Sequence, residues 1–224
     1  MNGKNNKISA SLMCADLLNL GTQIRELEEA GVDYLHLDVM DSVFVPNITL
    51  GIDTVNQIKG FTNLPLDIHL LVDRPSRIIR SLDFGEGDFV TIHGECSERV
   101  MENAAFIKQK GARFGLALNP DTTVEEVAKY LPYVDMINIM LIVPGFAGST
   151  LIHGIMEKVR ATRDYLDAHG YDEILIEVDG SVSDERAEKL KNYGASMFVC
   201  GTSSVFKKGE HFMDTVSSFR KCIG

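Results

Sequence analysis

Three stretches of this sequence alternate apolar with ionisable residues, and no other feature narrows the possible folds as much. They are Tyr34-Leu35-His36-Leu37-Asp38-Val39-Met40, Asp67-Ile68-His69-Leu70-Leu71-Val72 and Ile174-Leu175-Ile176-Glu177-Val178-Asp179-Gly180. In an extended strand successive side chains point to opposite faces. Leu35, Leu37 and Val39 therefore share one face, and His36, Asp38 and Met40 the other. Asp67, His69 and Leu71 share a face in the second stretch, and Glu177 and Asp179 in the third. Burying charge without a partner is costly. In a single strand, a satisfied core His–Asp hydrogen bond explains such a pattern as well as a metal or a catalytic role does. Three strands with ionisable groups near their ends instead point to one interior where those ends converge. His36, Asp38, His69 and Asp179 then form a mixed nitrogen and oxygen set. Such a set suits Zn²⁺, Mn²⁺, Fe²⁺ or Co²⁺ better than Ca²⁺ or Mg²⁺.

Strand-like and helix-period segments alternate along the whole chain. The pattern predicts strands at 7–13, 33–39, 65–71, 88–93, 113–118, 135–142, 173–179 and 196–200. Helices are predicted near 16–30, 51–60, 75–84, 97–110, 123–130, 150–169, 183–193 and 210–222. Gly31, Gly111 and Gly194 stand where helices run into strands, the usual place for a left-handed cap. Eight β/α units without a linker read as an α/β protein with an all-parallel sheet, a single (β/α)8 TIM barrel over 1–224. A doubly wound open sheet is the alternative. The barrel is preferred because it brings every strand C-terminus to one rim, whereas an open sheet usually holds strands 2 and 7 far apart.

The net charge of −10 disfavours nucleic acid as a partner, and no apolar run is long enough for a membrane span. An anionic ligand must then be held by local dipoles and a metal against the global field. Met1 to Lys7 is polar, without an apolar signal core. Cys14, Cys96, Cys200 and Cys222 show no CxxC spacing and read as reduced thiols of a cytoplasmic protein. Cys14, at the end of the first strand, could reach the rim, although burial is the expectation.

Several loops carry small residues where a barrel places its ligands. Val143-Pro144-Gly145-Phe146-Ala147-Gly148-Ser149 follows strand 6, and its small residues let backbone N–H groups approach a ligand or close over it. Gly180-Ser181 follows strand 7, and Gly201-Thr202 follows strand 8. Loops at these places often bind phosphate in barrels. Met40 and Met140 end strands 2 and 6 and are either core filler or an apolar surround for a carbanion-like intermediate. His93 ends strand 4 and reads as a structural histidine, with a supporting role behind the ligands as the alternative. No role is expected for His153, His169 or His211.

Ile8-Ser9-Ala10-Ser11-Leu12, His36-Leu37-Asp38-Val39-Met40-Asp41, Phe44-Val45-Pro46-Asn47-Ile48-Thr49, Asp67-Ile68-His69-Leu70, Pro144-Gly145-Phe146-Ala147-Gly148 and Glu177-Val178-Asp179-Gly180 together resemble the ribulose-phosphate 3-epimerase family, in order and spacing. The resemblance implies a (β/α)8 barrel with one divalent metal on His36, Asp38, His69 and Asp179, Zn²⁺ being the first choice. It implies that Asp38 and Asp179 are the acid/base pair and that the substrate is a phosphorylated ketose. Ser11 would contact that substrate, with His69, Met40 and Met140 around it. Phosphate would be held by Gly145, Phe146, Ala147 and Gly148, by Gly180 and Ser181, and by Gly201 and Thr202. Small barrels of this type commonly form homo-oligomers.

Some positions depart from the commonest family pattern. Val143 replaces an acidic or amide residue, Ala147 and Ser181 replace Gly, Ser149 replaces Gln, and Leu71 replaces Met. None touches the four metal positions. Ala147, Ser181 and the run Gly201-Thr202-Ser203, with Ser11-Leu12-Met13-Cys14, resemble the allulose-6-phosphate 3-epimerase branch more closely than the ribulose branch. Two rival readings share the fold: a catalytically silent sugar-phosphate binder, and a metal-independent phosphosugar isomerase or lyase. The first leaves the Asp38/Asp179 pair without a purpose, and the second leaves the two histidines unexplained.

Overall fold

A computed structural model describes residues 6–96 and 98–224. Most of the polar stretch Met1–Lys7, and the first residue of the helix predicted from 97, lie outside them. The strands β1 (Lys7–Ser11), β2 (Tyr34–Met40), β3 (Leu66–Leu71), β4 (Phe89–His93), β5 (Arg113–Leu118), β6 (Met136–Met140), β7 (Leu175–Asp179) and β8 (Met197–Cys200) are parallel and close into a barrel in chain order. The helices are α1 (Leu20–Ala30), α2 (Ile52–Phe61), α3 (Ser76–Ile79), α4 (Val100–Gln109), α5 (Ile155–Ala168), α6 (Asp184–Asn192) and α7 (Phe212–Ile223). Between β5 and β6 the chain forms a 3₁₀ segment, Glu125–Tyr133, rather than an α-helix. The closed barrel excludes the open-sheet alternative. Among the described residues, no helix is long and apolar enough to cross a membrane.

The alternation read from the sequence sorts the barrel into layers. Leu35, Leu37, Val39, Ile68, Leu70, Ile176 and Val178 face outward and pack with Ile24, Leu27, Val55, Ile58 and Phe219 from the helices. The opposite positions fill the interior. Tyr34, Phe89, Met136 and Met197 plug its N-terminal end. The Arg113 guanidinium closes that end, 4.0 Å from the Phe89 ring and donating to the Tyr34 hydroxyl at 2.6 Å. Above the plug lies a buried polar layer of Ser9, His36, Asp67, Thr91, Asn138 and Glu177. The C-terminal ends of the strands carry the next layer, which opens to solvent.

Several element ends differ from the sequence reading, for local reasons. β1 stops at Ser11 because Leu12–Cys14 turn as a 3₁₀ segment. α1 begins at Leu20, since Asp16 accepts from the Leu18 N–H and the Asn19 amide in a turn. α3 is a single turn, and α5 begins only at Ile155. Gly31, Gly111 and Gly194 have φ of 82°, 86° and 103°, as the cap reading requires.

Candidate active site

β2, β3 and β7 bring His36, Asp38, His69 and Asp179 together at the C-terminal end of the barrel. Neighbours in register set part of this: Asp38 pairs with His69, and His36 with Asp67. β7 reaches the same point because only β8 and β1 separate it from β2 around the closed sheet. His36 Nε2 lies 3.2 Å from Asp38 Oδ1 and 3.8 Å from Asp179 Oδ2. His69 Nδ1 lies 3.3 Å and 3.5 Å from the same two oxygens. Four ligands around one tetrahedral Zn²⁺ at about 2.0–2.1 Å would stand about 3.3 Å apart. The spacing here therefore fits a single small cation. The buried Nδ1 of His69 has no hydrogen-bond partner, which marks it as a free ligand atom.

Each imidazole is backed from behind. The Nδ1–H of His36 donates to Asp67 Oδ2 at 2.5 Å, and Ser9 Oγ donates to the same oxygen at 2.8 Å. A carboxylate accepts but cannot donate, so the proton of His36 sits on Nδ1 and Nε2 is turned to the site. Burial works against charge on His36, but the Asp67 and Asp38 carboxylates outweigh it and raise the ring well above its usual range. Burial likewise works against charge on Asp38, and His36 and His69 hold that carboxyl low. Glu177 is pushed far above the usual carboxylate range by burial and by the charge of Asp67. It serves as a neutral acid behind Asp67. His36, Asp67 and Glu177 also lie close enough to form a ligand set. The short His36–Asp67 contact, however, makes those two residues a hydrogen-bonded pair.

His69 is backed through a second ring. His93 Nε2 is 3.0 Å from His69 Nε2, and His93 Nδ1 is 3.2 Å from Glu95 Oε2. Burial pushes His93 down to about 4, leaving it neutral. Burial would raise Glu95, but hydrogen bonds from His93 and Thr122 hold it at about 2. The structural reading of His93 is thus satisfied, and the ring also touches His69.

The cleft above this floor is open to solvent on one side. Ser11, Met40, Met140, Gly145, Phe146, Ala147, Gly148, Gly180, Ser181, Gly201 and Thr202 all line it, as do Asp38 and Asp179. Asp38 and Asp179 are 6% and 9% exposed whereas His36 and His69 are fully buried, so the carboxylates alone of the four face the cleft. His69 lies beneath the wall rather than on it. Ser11 Oγ donates to the second oxygen of Asp38 at 3.4 Å. Cys14, expected to be buried, is half-exposed and lines the cleft. Burial, the largest influence on its thiol, pushes it above its usual range. Among the described residues, the lining includes two carboxylates and no Lys or Arg. An anionic group must therefore meet backbone N–H donors. Gly145, Gly148 and Gly180 supply the positive φ angles that expose backbone there, at 126°, 77° and 98°. At Gly180 a Cβ would lie 2.4 Å from the Ile142 side chain.

Asp67, Glu177 and Glu95 were given no role from the sequence. Asp67 and Glu177 stand two residues before His69 and Asp179 on the same faces, and that spacing was the available signal. Glu95 lies in a loop, where periodicity carries no information.

A parallel barrel with two imidazoles and two carboxylates at its C-terminal rim, under a small-residue cleft, defines a class: (β/α)8 proteins with a His/Asp group that could hold a metal ion. Solved structures agree on the fold. Thiamine phosphate pyrophosphorylase from Pyrococcus furiosus matches with a TM-score of 0.65 at 12% identity, over 99% of this chain and 98% of that one. Phosphoribosylanthranilate isomerase from Thermotoga maritima matches with 0.59 at 13% identity, over 97% and 98%. The ribulose-phosphate 3-epimerase of Bacillus subtilis is 35% identical over 88% of this chain and 91% of its own length. That of Synechocystis is 36% identical over 91% and 88%. The model of the ribulose-phosphate 3 epimerase family matches residues 7–206. The chain belongs to that family; it is an isomerase, an epimerase acting on carbohydrates.

Proposed function

We propose that this ketose-phosphate 3-epimerase inverts C3 with Asp38 and Asp179 as its acid/base pair, and that its preferred substrate is D-allulose 6-phosphate, converted to D-fructose 6-phosphate. D-ribulose 5-phosphate, converted to D-xylulose 5-phosphate, is the five-carbon counterpart. The observation that carries the mechanism is that these two carboxylates are the charged groups on the cleft wall and approach from two separated strands.

A C–H next to a ketone is weakly acidic, and inversion requires removal from one face and return to the other. One carboxylate takes the C3 proton, leaving a planar ene-diolate, and the other delivers a proton to the opposite face. His36 Nε2, Asp38, His69 Nδ1 and Asp179 would hold a divalent cation, Zn²⁺ first. Bound there, it supplies positive charge beside the substrate oxygens as a Lewis acid. Ser11 steadies Asp38, and Met40 and Met140 keep water from the reacting carbons. The loop at 145–148, Gly180–Ser181 and Gly201–Thr202 present backbone to the phosphate. The loop after β2 supports the first of these, because the Asn47 amide donates to the Gly145 carbonyl at 2.8 Å.

The six-carbon assignment rests on the positions that depart from the commonest family pattern. Leu71, Ala147 and Ser181 all line the cleft. Substitutions on the cleft wall bear on substrate length, whereas the four groups on its floor act on carbons common to both sugars. Free thiols at Cys14, Cys96, Cys200 and Cys222 accord with a reducing, cytoplasmic setting. The test is kcat/KM for both ketose phosphates in parallel. We expect a preference of tenfold or more for D-allulose 6-phosphate, about 1.4 kcal/mol of transition-state binding. A preference for D-ribulose 5-phosphate would refute the six-carbon assignment and leave the mechanism standing.

A further inference from the structure

The geometry points to Glu95 and His93 as positioning residues that keep a proton on Nε2 of His69 and so turn its Nδ1 to a cation. This rests on the metal reading above, which assigns no role to either residue.

The argument runs inward from Glu95, one proton at a time. Its Oε1 accepts the Asn119 backbone N–H at 2.8 Å, and its Oε2 faces His93 Nδ1. Both oxygens must accept, so His93 Nδ1 carries a proton. His93 has no exposed surface, and a neutral ring has one N–H to place. Its Nε2 is therefore bare, and that nitrogen is 3.0 Å from His69 Nε2. The two rings are tilted by only 22° with centroids 5.0 Å apart, so the nitrogens meet edge to edge. Two bare nitrogens at that distance would repel, so His69 Nε2 carries its ring's proton. Nδ1 of His69, between Asp38 Oδ1 and Asp179 Oδ2, is then the nitrogen left for a cation, which would take the place of any proton those carboxylates hold there. The reversed pattern, with the proton of His93 on Nε2, would leave Nδ1 of His69 holding that ring's only proton, which a cation could displace only by leaving the ring anionic. Phe44, whose ring centroid is 4.6 Å from that of His93, covers the chain of rings. His36 reaches its carboxylate directly through Asp67, whereas His69 reaches Glu95 through an intervening imidazole. Partners behind a ligating histidine fix its tautomer, and losing one typically weakens metal binding 10–100-fold.

Glu95→Gln separates this role from a merely structural one. The Asn119 N–H requires an oxygen at the first position, so the Gln amide nitrogen falls opposite His93 Nδ1 and donates to it. The near-isosteric change thus reverses the pattern. The full-length protein with ¹⁵N-labelled histidine reads each ring nitrogen by long-range ¹H–¹⁵N NMR, before and after Zn²⁺ is added. In the unsubstituted protein we expect His93 protonated at Nδ1 and His69 at Nε2, with Zn²⁺ moving the His69 Nδ1 signal. In Glu95→Gln we expect both rings reversed and the Zn²⁺ Kd raised about 10–100-fold. His93 protonated at Nε2 in the unsubstituted protein would overturn the inference without any variant having to fold. An unchanged pattern and Kd in a folded Glu95→Gln protein would also overturn it. If Zn²⁺ moves no ring nitrogen of His36 or His69, the metal reading itself fails, and this inference with it.

Discussion

Thr91 and Gly115 are register partners on β4 and β5, both in the interior of the barrel. A Cβ on Gly115 would stand 2.1 Å from Thr91 Oγ1 and 2.9 Å from its Cβ, with no room to move. Overfilling a packed interior costs about 1–3 kcal/mol, sometimes more. Gly115→Ala is expected to lose about 3 kcal/mol in urea unfolding, and Thr91→Ala in the same chain to recover part of it. Full stability in the single variant would show that the interior is looser than described. Glu95 gives a pH dependence of defined sign. Its folded carboxyl is held at about 2, below the usual 4.5. The stability it contributes is complete above pH 4.5 and is lost as the pH falls toward 2. Glu95→Gln should lack this component, so unfolding free energies of the two proteins should converge across that window. Parallel curves would contradict the assignment. At this scale the sequence was informative where function follows strand periodicity, as for His36, Asp38, His69 and Asp179. It said little where neighbours are set by register between strands, as for Asp67 behind His36, or by a loop, as for Glu95.

At the scale of elements, the turn from β7 into α6 shows how this chain builds its rim. Ser181 has a φ of 53°, a conformation that strains any residue with a Cβ. Arg186, on the first turns of α6, donates to the Ser181 carbonyl at 2.8 Å and lies 3.3 Å from its Oγ, and so holds the turn in place. Ser181→Gly should relieve the strain and stabilise the fold by about 0.5–1 kcal/mol, measured by thermal or denaturant unfolding. A loss of stability would mean that the Oγ contact with Arg186 outweighs the strain. All eight strands were legible within a few residues because an all-parallel sheet buries both faces of each strand, which leaves long apolar runs. Helices were less so. The segment with Pro132 winds as 3₁₀, and α3 is one turn, opened by Ser76, whose backbone N–H and hydroxyl both donate to Glu98.

For the whole molecule, closure of the sheet matters most, since it makes β2, β3 and β7 share a rim. The molecule carries a net charge of −10 and lines its cleft with two carboxylates and no Lys or Arg. On the proposed reading a phosphorylated substrate would therefore be drawn by backbone donors and a cation on the four ligands, against the field of the rest of the protein. Net charge and loop composition were grounds for expecting that division of labour, but not the buried polar layer beneath it, which exists only once the barrel closes. The most direct test of the account is hydrogen exchange at C3. The protein is incubated in D₂O with D-allulose 6-phosphate or D-ribulose 5-phosphate, with Zn²⁺ or with a chelator, and the sugar is read by NMR. We predict deuterium at C3 of the epimerised product, lost on chelation and reduced at least about 100-fold in Asp38→Asn and Asp179→Asn. Exchange that survives chelation, or that persists in both carboxylate variants, would contradict the account, as would no exchange with either sugar.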